Sequence, residues 1–131
     1  MVNDPIGDFI IRLQNAGRAG HTTVAVPHSK LRTAVAEKLQ TAGYLTDVQV
    51  VGEGVKKTLQ VSLAKQKDGA TGINGVRRVS KPGRRIYRKV HEIHPVKFGR
   101  GEVIMSTPAG ILTGTEARAQ HVGGEQLFII W

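Results

Sequence analysis

The sequence contains no cysteine, which excludes a disulfide scaffold, a cysteine nucleophile and every thiolate zinc site, and fits a reducing compartment. Any bound metal would have to rest on His and carboxylates. Acidic residues are scarce, 10 Asp and Glu against 19 Lys and Arg, and the resulting net charge of +9 points to a polyanionic partner. No apolar run approaches membrane-spanning length, and Asp4 and Asp8 stand where a signal peptide would carry Lys or Arg. The cytosol is therefore the default address. The sequence has no G-x-x-x-x-G-K-[ST], no G-x-G-x-x-G and no G-x-S-x-G, so the common nucleotide-binding and hydrolase signatures fail. Internal repeats, heptads and low-complexity tracts are also missing. What remains is a chain of 131 residues, 40% hydrophobic and 22% charged, which has the composition of one globular domain or two small, tightly packed ones.

The positive charge is concentrated. Thirteen basic residues lie between Lys56 and Arg100 against only Asp68 and Glu92, a local balance of +11, while the rest of the chain sums to −2. From Arg77 to Lys89 seven of thirteen residues are cationic and none is acidic. Self-repulsion on this scale is characteristic of a face that meets phosphate, although a merely solvated face would have the same composition.

Local patterning predicts an α+β chain. Asp4-Pro5 opens a helix whose apolar stripe is Ile6, Phe9, Ile10 and Leu13, with Gly17 as the stop. A short strand over Thr22 to Val26 is closed by Pro27, and Ser29 caps a second helix carrying Leu31, Ala34, Val35, Leu39 and Ala42 up to Gly43. This leaves Lys30 and Arg32 on the first turn, near the surface. Tyr44 to Val51 and Val55 to Leu63 read as strands joined at Gly52-Glu53-Gly54. The polar, Gly-rich stretch Lys65 to Gly72 marks a boundary between subdomains 1–66 and 67–131. The second half is mainly β: Val76 to Ser80 and Arg85 to Lys89 flank a Lys81-Pro82-Gly83 turn, where two basic strand ends meet at one tip. A short buried strand, Val103 to Met105, runs into Ser106-Thr107-Pro108-Ala109-Gly110. A Thr113…Glu116 capping box then starts a helix to Gln120, which Gly123-Gly124 ends, and Leu127 to Trp131 forms a last strand.

Four features could carry chemistry. The Ser106-Thr107 turn presents hydroxyls and backbone N–H groups suited to phosphate and ribose oxygens, or else caps its own backbone; no neighbour offers the general base a nucleophile needs. Tyr87, inside the cationic run, could stack on a base or serve as a core aromatic. Glu125, in a basic half, is placed to orient an Arg or Lys. His91-Glu92-Ile93-His94 could hold zinc, but lacks the i, i+4 spacing of a metalloprotease helix and reads better as a surface pair.

Several blocks resemble the S-eight family of bacterial small-subunit ribosomal proteins, in family order across nearly the whole chain. They are Asp4-Pro5-Ile6 with Asp8, Val26-Pro27-x-Ser29-Lys30-Leu31, Gly43-Tyr44, Ile73-Asn74-Gly75-Val76-x-Arg78-Val79-Ser80-Lys81-Pro82-Gly83, Arg85-Ile86-Tyr87, Ser106-Thr107-x-x-Gly110, Glu116-Ala117-Arg118 and Gly123-Gly124-Glu125. The resemblance implies a non-enzymatic protein of two subdomains, two helices on a three-stranded sheet followed by a mainly β half with a short helix. It further implies binding to the central domain of 16S rRNA, assembly of the 30S platform beside neighbouring ribosomal proteins, and no cofactor, metal, membrane or small-molecule substrate. Carried over residue by residue, Ser106, Thr107 and Gly110 would be the central contacts, set in the minor groove of an irregular RNA helix. Tyr87, Lys81, Arg84 and Arg85 would support them, Lys30 and Arg32 would reach a backbone from the first subdomain, and Glu125, Pro82 and Gly83 would hold the geometry. The family's S-T-S-K-G has become Ser106-Thr107-Pro108-Ala109-Gly110, losing a hydroxyl, a cation and a backbone donor, while Arg84 and Arg100 add cations where the family has apolar residues. A DNA-compacting or heparin-like protein would share the basic patch, but should bind duplexes without preference.

Overall fold

The computed structural model describes residues 4–64, 72–95 and 101–131. The expected boundary at 66/67 lies outside these residues, as do Lys65, Lys67, Lys97 and Arg100. The chain is α+β, with three helices and two sheets among the described residues. It divides into two compact units, one formed by Met1–Gly7 with Gly75–Trp131 and the other by Asp8–Asn74.

Helix α1 (Pro5–Arg18) begins where Asp4 accepts the Gly7 N–H at 3.1 Å. It continues past Gly17, the expected stop, to Arg18, and the chain then turns at Gly20, whose φ is +80°. The His21 N–H reaches Ala16 O at 2.9 Å and the Gly20 N–H reaches Gly17 O at 3.2 Å, which together close the last turn. Ile6, Phe9, Ile10 and Leu13 are all buried, as their spacing requires.

In the Asp8–Asn74 unit, β1 (Thr23–Pro27) and β2 (Leu45–Val51) both pair antiparallel with the central β3 (Thr58–Leu63). Leu59, Val61 and Leu63 alternate into the core. The β2–β3 connection is longer than a Gly-Glu-Gly turn, because a 3₁₀ turn at Gly54–Lys56 takes Val55 out of the strand and leaves it fully exposed. Helix α2 (Lys30–Thr41) is capped by Ser29, whose Oγ accepts the Arg32 N–H at 3.1 Å. Its inner face is Arg32, Val35, Ala36 and Leu39, so the stripe is rotated from the expected one and Leu31 is left exposed.

The other unit is built on β8 (Gly124–Ile130). One edge of β8 pairs first with β4 (Val76–Arg78) and then with β5 (Tyr87–Arg88); its other edge pairs with β6 (Glu102–Thr107), which pairs with β7 (Gly110–Thr113). Strands β4 and β5 are shorter than expected, β8 is longer, and β7 was not anticipated. Helix α3 (Gly114–Gln120) has the expected capping box, with Thr113 Oγ1 accepting the Glu116 N–H and Glu116 accepting the Thr113 N–H, each at 3.1 Å. It is ended by His121 in the left-handed region (φ 57°) rather than by Gly123-Gly124. Ile93, Val103, Met105, Leu112 and Ala117 form the core on this side of the sheet, with Val122 and Ile129 packed against it.

Candidate nucleic-acid interface

The basic run is folded as an excursion between two short strands that lie along the same edge of β8. Lys81 and Arg84 exchange both backbone hydrogen bonds, at 3.0 and 2.9 Å, across Pro82-Gly83. Pro82 holds a φ the turn requires, and Gly83 takes φ +89°, where a side chain would be strained. The base of the excursion is fixed by Ser80. It is fully buried, and its Oγ accepts the Ile86 N–H at 2.9 Å and donates to Ile86 O at 3.3 Å. Lys81, Arg84 and Arg85 are left exposed around a tip whose backbone is fixed.

Arg78, although inside this run, is not part of the exposed charge. Its guanidinium forks onto Asp4, Nη2 to Oδ1 at 3.0 Å and Nε to Oδ2 at 3.2 Å, and its Nη1 donates to Leu127 O. Burial pushes the Asp4 carboxyl up, but the Arg78 and Gly7 hydrogen bonds and the Arg78 charge together hold it below its usual 3.8.

The second half of the candidate interface is a β6–β7 hairpin with Pro108-Ala109 as its loop, Thr107 facing Gly110. The Thr107 hydroxyl accepts the Ala109 N–H at 3.1 Å and donates to Gly110 O at 2.8 Å, so it serves the turn itself. Gly110 follows at φ +110°. Ser106 differs: among the described residues its hydroxyl has no hydrogen-bond partner, and the residue is half-buried.

Strand register assembles the separate motifs. Tyr87 of β5 lies opposite Glu125 of β8, and Glu125 lies opposite Ser106 of β6. Directly opposed residues project from the same side of an antiparallel pair, so Tyr87, Glu125 and Ser106 form one row on one face. Glu125 Oε2 accepts from Arg85 Nη1 at 3.4 Å, which is the orienting contact its setting predicted. Tyr87 is 65% exposed, which disposes of the core reading and leaves its ring face available.

A register shift at Ile104/Met105 makes this row. Ile104 pairs with Phe128 but Met105 pairs with Gln126, so β8 carries one extra residue there. Leu127 and Phe128 are consecutively buried as a result, and Glu125 falls on the Ser106 face. The Gly123-Gly124 pair has its reason here as well. A Cβ on Gly124 would stand 2.3 Å from Ser106 O, and one on Gly123 would stand 2.5 Å from Arg88 O. The backbones on either side of β8 approach too closely for any side chain.

The residues expected from the first subdomain need one correction. Lys30 is exposed at the start of α2. Arg32 is not near the surface: it is 8% exposed, with Nη1 donating to Pro27 O at 3.0 Å and Nη2 to Asp8 Oδ2 at 3.2 Å. The helix phase that buries Val35 and Ala36 also carries Arg32 inward, and its role is in the fold of that unit. His91 and His94 are exposed, and among the described residues no group of three or more His, Asp or Glu could hold a metal ion.

The family model for ribosomal protein S8 matches residues 4–131. The chain belongs to the ribosomal protein S8 family. Among its relatives, the small ribosomal subunit protein uS8 of Rubrobacter xylanophilus is 45% identical over 130 residues, 99% of this chain and 98% of the relative. That of Chloroflexus aggregans is 45% identical over 131 residues, with the same coverage, and that of Solibacter usitatus is 40% identical over the full length of both chains. Ribosomal protein S8 is a structural, non-enzymatic component of the small subunit, which is cytoplasmic in bacteria. Among the S8 blocks of this sequence, those containing Val76–Arg78, Tyr87, Ser106 and Gly124-Glu125 are drawn together along β8.

Proposed function

We propose that this chain is a primary binder of the central domain of 16S rRNA, and that it helps to assemble and stabilise the platform of the 30S subunit together with neighbouring small-subunit proteins. The observation that carries the reading is the Ser106 hydroxyl, without a hydrogen-bond partner among the described residues, on a rigid row beside the exposed Tyr87 and the cations Lys81, Arg84 and Arg85. A-form RNA hides its base edges in a deep major groove and displays 2′-hydroxyls in a shallow minor groove, so a short hydroxyl on a fixed backbone is a suitable probe there. The surrounding cations supply affinity through counterion release, and the row supplies register. Thr107 and Gly110 act by shaping the hairpin that presents Ser106, Pro82 and Gly83 by shaping the basic tip, and Glu125 by holding Arg85. Lys30 adds a backbone contact from the Asp8–Asn74 unit.

The test is competition between a central-domain rRNA fragment and random duplex RNA. The parent protein prefers the fragment, and Ser106→Ala lowers that preference while sparing weak nonspecific binding. A protein that binds both RNAs equally would instead be a general basic nucleic-acid binder. Unchanged discrimination in Ser106→Ala would remove the assigned role of the row.

A further inference from the structure

The opposite face of the same sheet carries a cavity that the row does not use. It has a volume of about 340 Å³ and is lined by Arg77, Arg88, Gln126, Ile129 and Trp131, with one carboxylate, Glu92, at the Arg88 side. Register explains the composition. Arg77, Ile129 and Val103 lie in one row and Gln126 opposes Met105, which places these side chains on the face away from Ser106 and Glu125. Trp131 is fixed from behind: its backbone exchanges hydrogen bonds with Gly75 at 3.1 and 3.0 Å, and its ring lies 2.6 Å from where a Gly75 Cβ would stand. The ring cannot swing back into Gly75.

We propose that this cavity binds one unstacked nucleotide of a single-stranded RNA segment. The inference rests on the family reading for RNA as the partner, but uses different residues. Three observations carry it. Trp131, the only tryptophan in the chain, gives a flat wall on which any base can stack. Neither Arg77 nor Arg88 forms a salt bridge among the described residues; the exposed Arg77 guanidinium can meet phosphate, while Arg88 donates one N–H to Tyr87 O at 3.0 Å and keeps its other donors for it. The Gln126 amide offers a donor and an acceptor to a base edge. The volume is at the lower end of small-ligand sites, about 300–1,000 Å³, which suits a single nucleotide. A second groove, lined by Arg77, Lys81, Arg84 and Arg88, shares two arginines with the cavity. That shared wall provides a cationic path for the rest of a strand, and so favours a polymer over a free nucleotide. A stacked duplex cannot insert a base into such a concavity without unpairing it.

The test titrates the intact protein with a hexamer of adenosine nucleotides while following Trp131 emission, and measures the same oligonucleotide by anisotropy in the variants. Emission is expected to be quenched on binding. Trp131→Leu and, separately, Arg77→Ala should each weaken the hexamer about tenfold, and Trp131→Phe should retain most of the affinity. Arg77→Ala lies on an exposed position and keeps the test decisive if Trp131→Leu fails to fold. Both variants should bind a blunt central-domain rRNA helix as the parent does, and Ser106→Ala should bind the hexamer as the parent does. The proposal is overturned by unquenched emission at saturating hexamer, by unchanged hexamer affinity in Arg77→Ala, or by an acidic hexapeptide quenching as well as the RNA. Loss of rRNA discrimination with the hexamer response intact would instead count against the family reading alone.

Discussion

Ser106 and Thr107 are neighbours with the same functional group in opposite situations. Thr107 closes its own turn through two hydrogen bonds, whereas the Ser106 hydroxyl has no partner among the described residues. Of the two readings of that turn, the self-capping loop holds for Thr107, and the proposed RNA contact falls to Ser106. The same sorting applies to the cations: Arg32 and Arg78 are each tied to a carboxylate within their own unit, while Lys81 and Arg84 face outward. Asp4 makes one of these internal roles measurable. Its folded pKa lies below its usual 3.8, because the Arg78 and Gly7 hydrogen bonds and the Arg78 charge together outweigh burial. A carboxylate with a depressed folded pKa contributes stability that is present above the unfolded value and is lost as pH falls through the folded one. Asp4→Asn should therefore lower the melting temperature at neutral pH and flatten the loss of stability below pH 3.8, as read by thermal melts across an acid series. An unchanged acid limb would mean that the Asp4–Arg78 fork contributes nothing.

At the scale of elements, β8 decides the geometry, and it is the element the sequence described least well. Its alternation is broken where Leu127 and Phe128 are both buried, so a period of two finds only the apolar end. The helices were easier, since their signals are local: Asp4, Ser29 and the Thr113–Glu116 box all cap as their spacing requires. The Lys81-Pro82-Gly83-Arg84 turn was legible for the same reason. Arg32 was misplaced because nothing in the α2 pattern reveals that Pro27 O and Asp8 wait for a guanidinium inside. The alignment of Tyr87, Glu125 and Ser106 was likewise invisible, because it depends on register between segments far apart in the chain. Gly124 tests that alignment. With only 2.3 Å between a Cβ there and Ser106 O, Gly124→Ala should cost about 1–3 kcal/mol in denaturant unfolding. It should weaken rRNA recognition further by displacing Ser106, and full stability with full recognition would show that the approach is looser than described.

Across the whole molecule, the net charge of +9 is not one uniform field. Arg78 is neutralised internally and Arg85 is paired with Glu125, while Lys81 and Arg84 stay open on a tip built by Ser80 and Pro82-Gly83. Affinity and specificity should therefore separate by position. Lys81→Ala should weaken binding to all RNAs alike and reduce the slope of log affinity against log salt by about 0.7–0.9 for the lost phosphate contact. A change confined to the cognate fragment would place Lys81 in recognition instead.

The central position of β8 has one more consequence, which concerns the order of synthesis. This strand leaves the ribosome after every strand it pairs with, yet β4, β5 and β6 all depend on it. A nascent chain that stops before Gly124 contains Tyr87, Lys81 and Ser106 but has no template to align them. Chains that stop before Gly124 would thus be poor competitors for a growing particle, because the strand that aligns β4, β5 and β6 also aligns the row proposed to meet RNA.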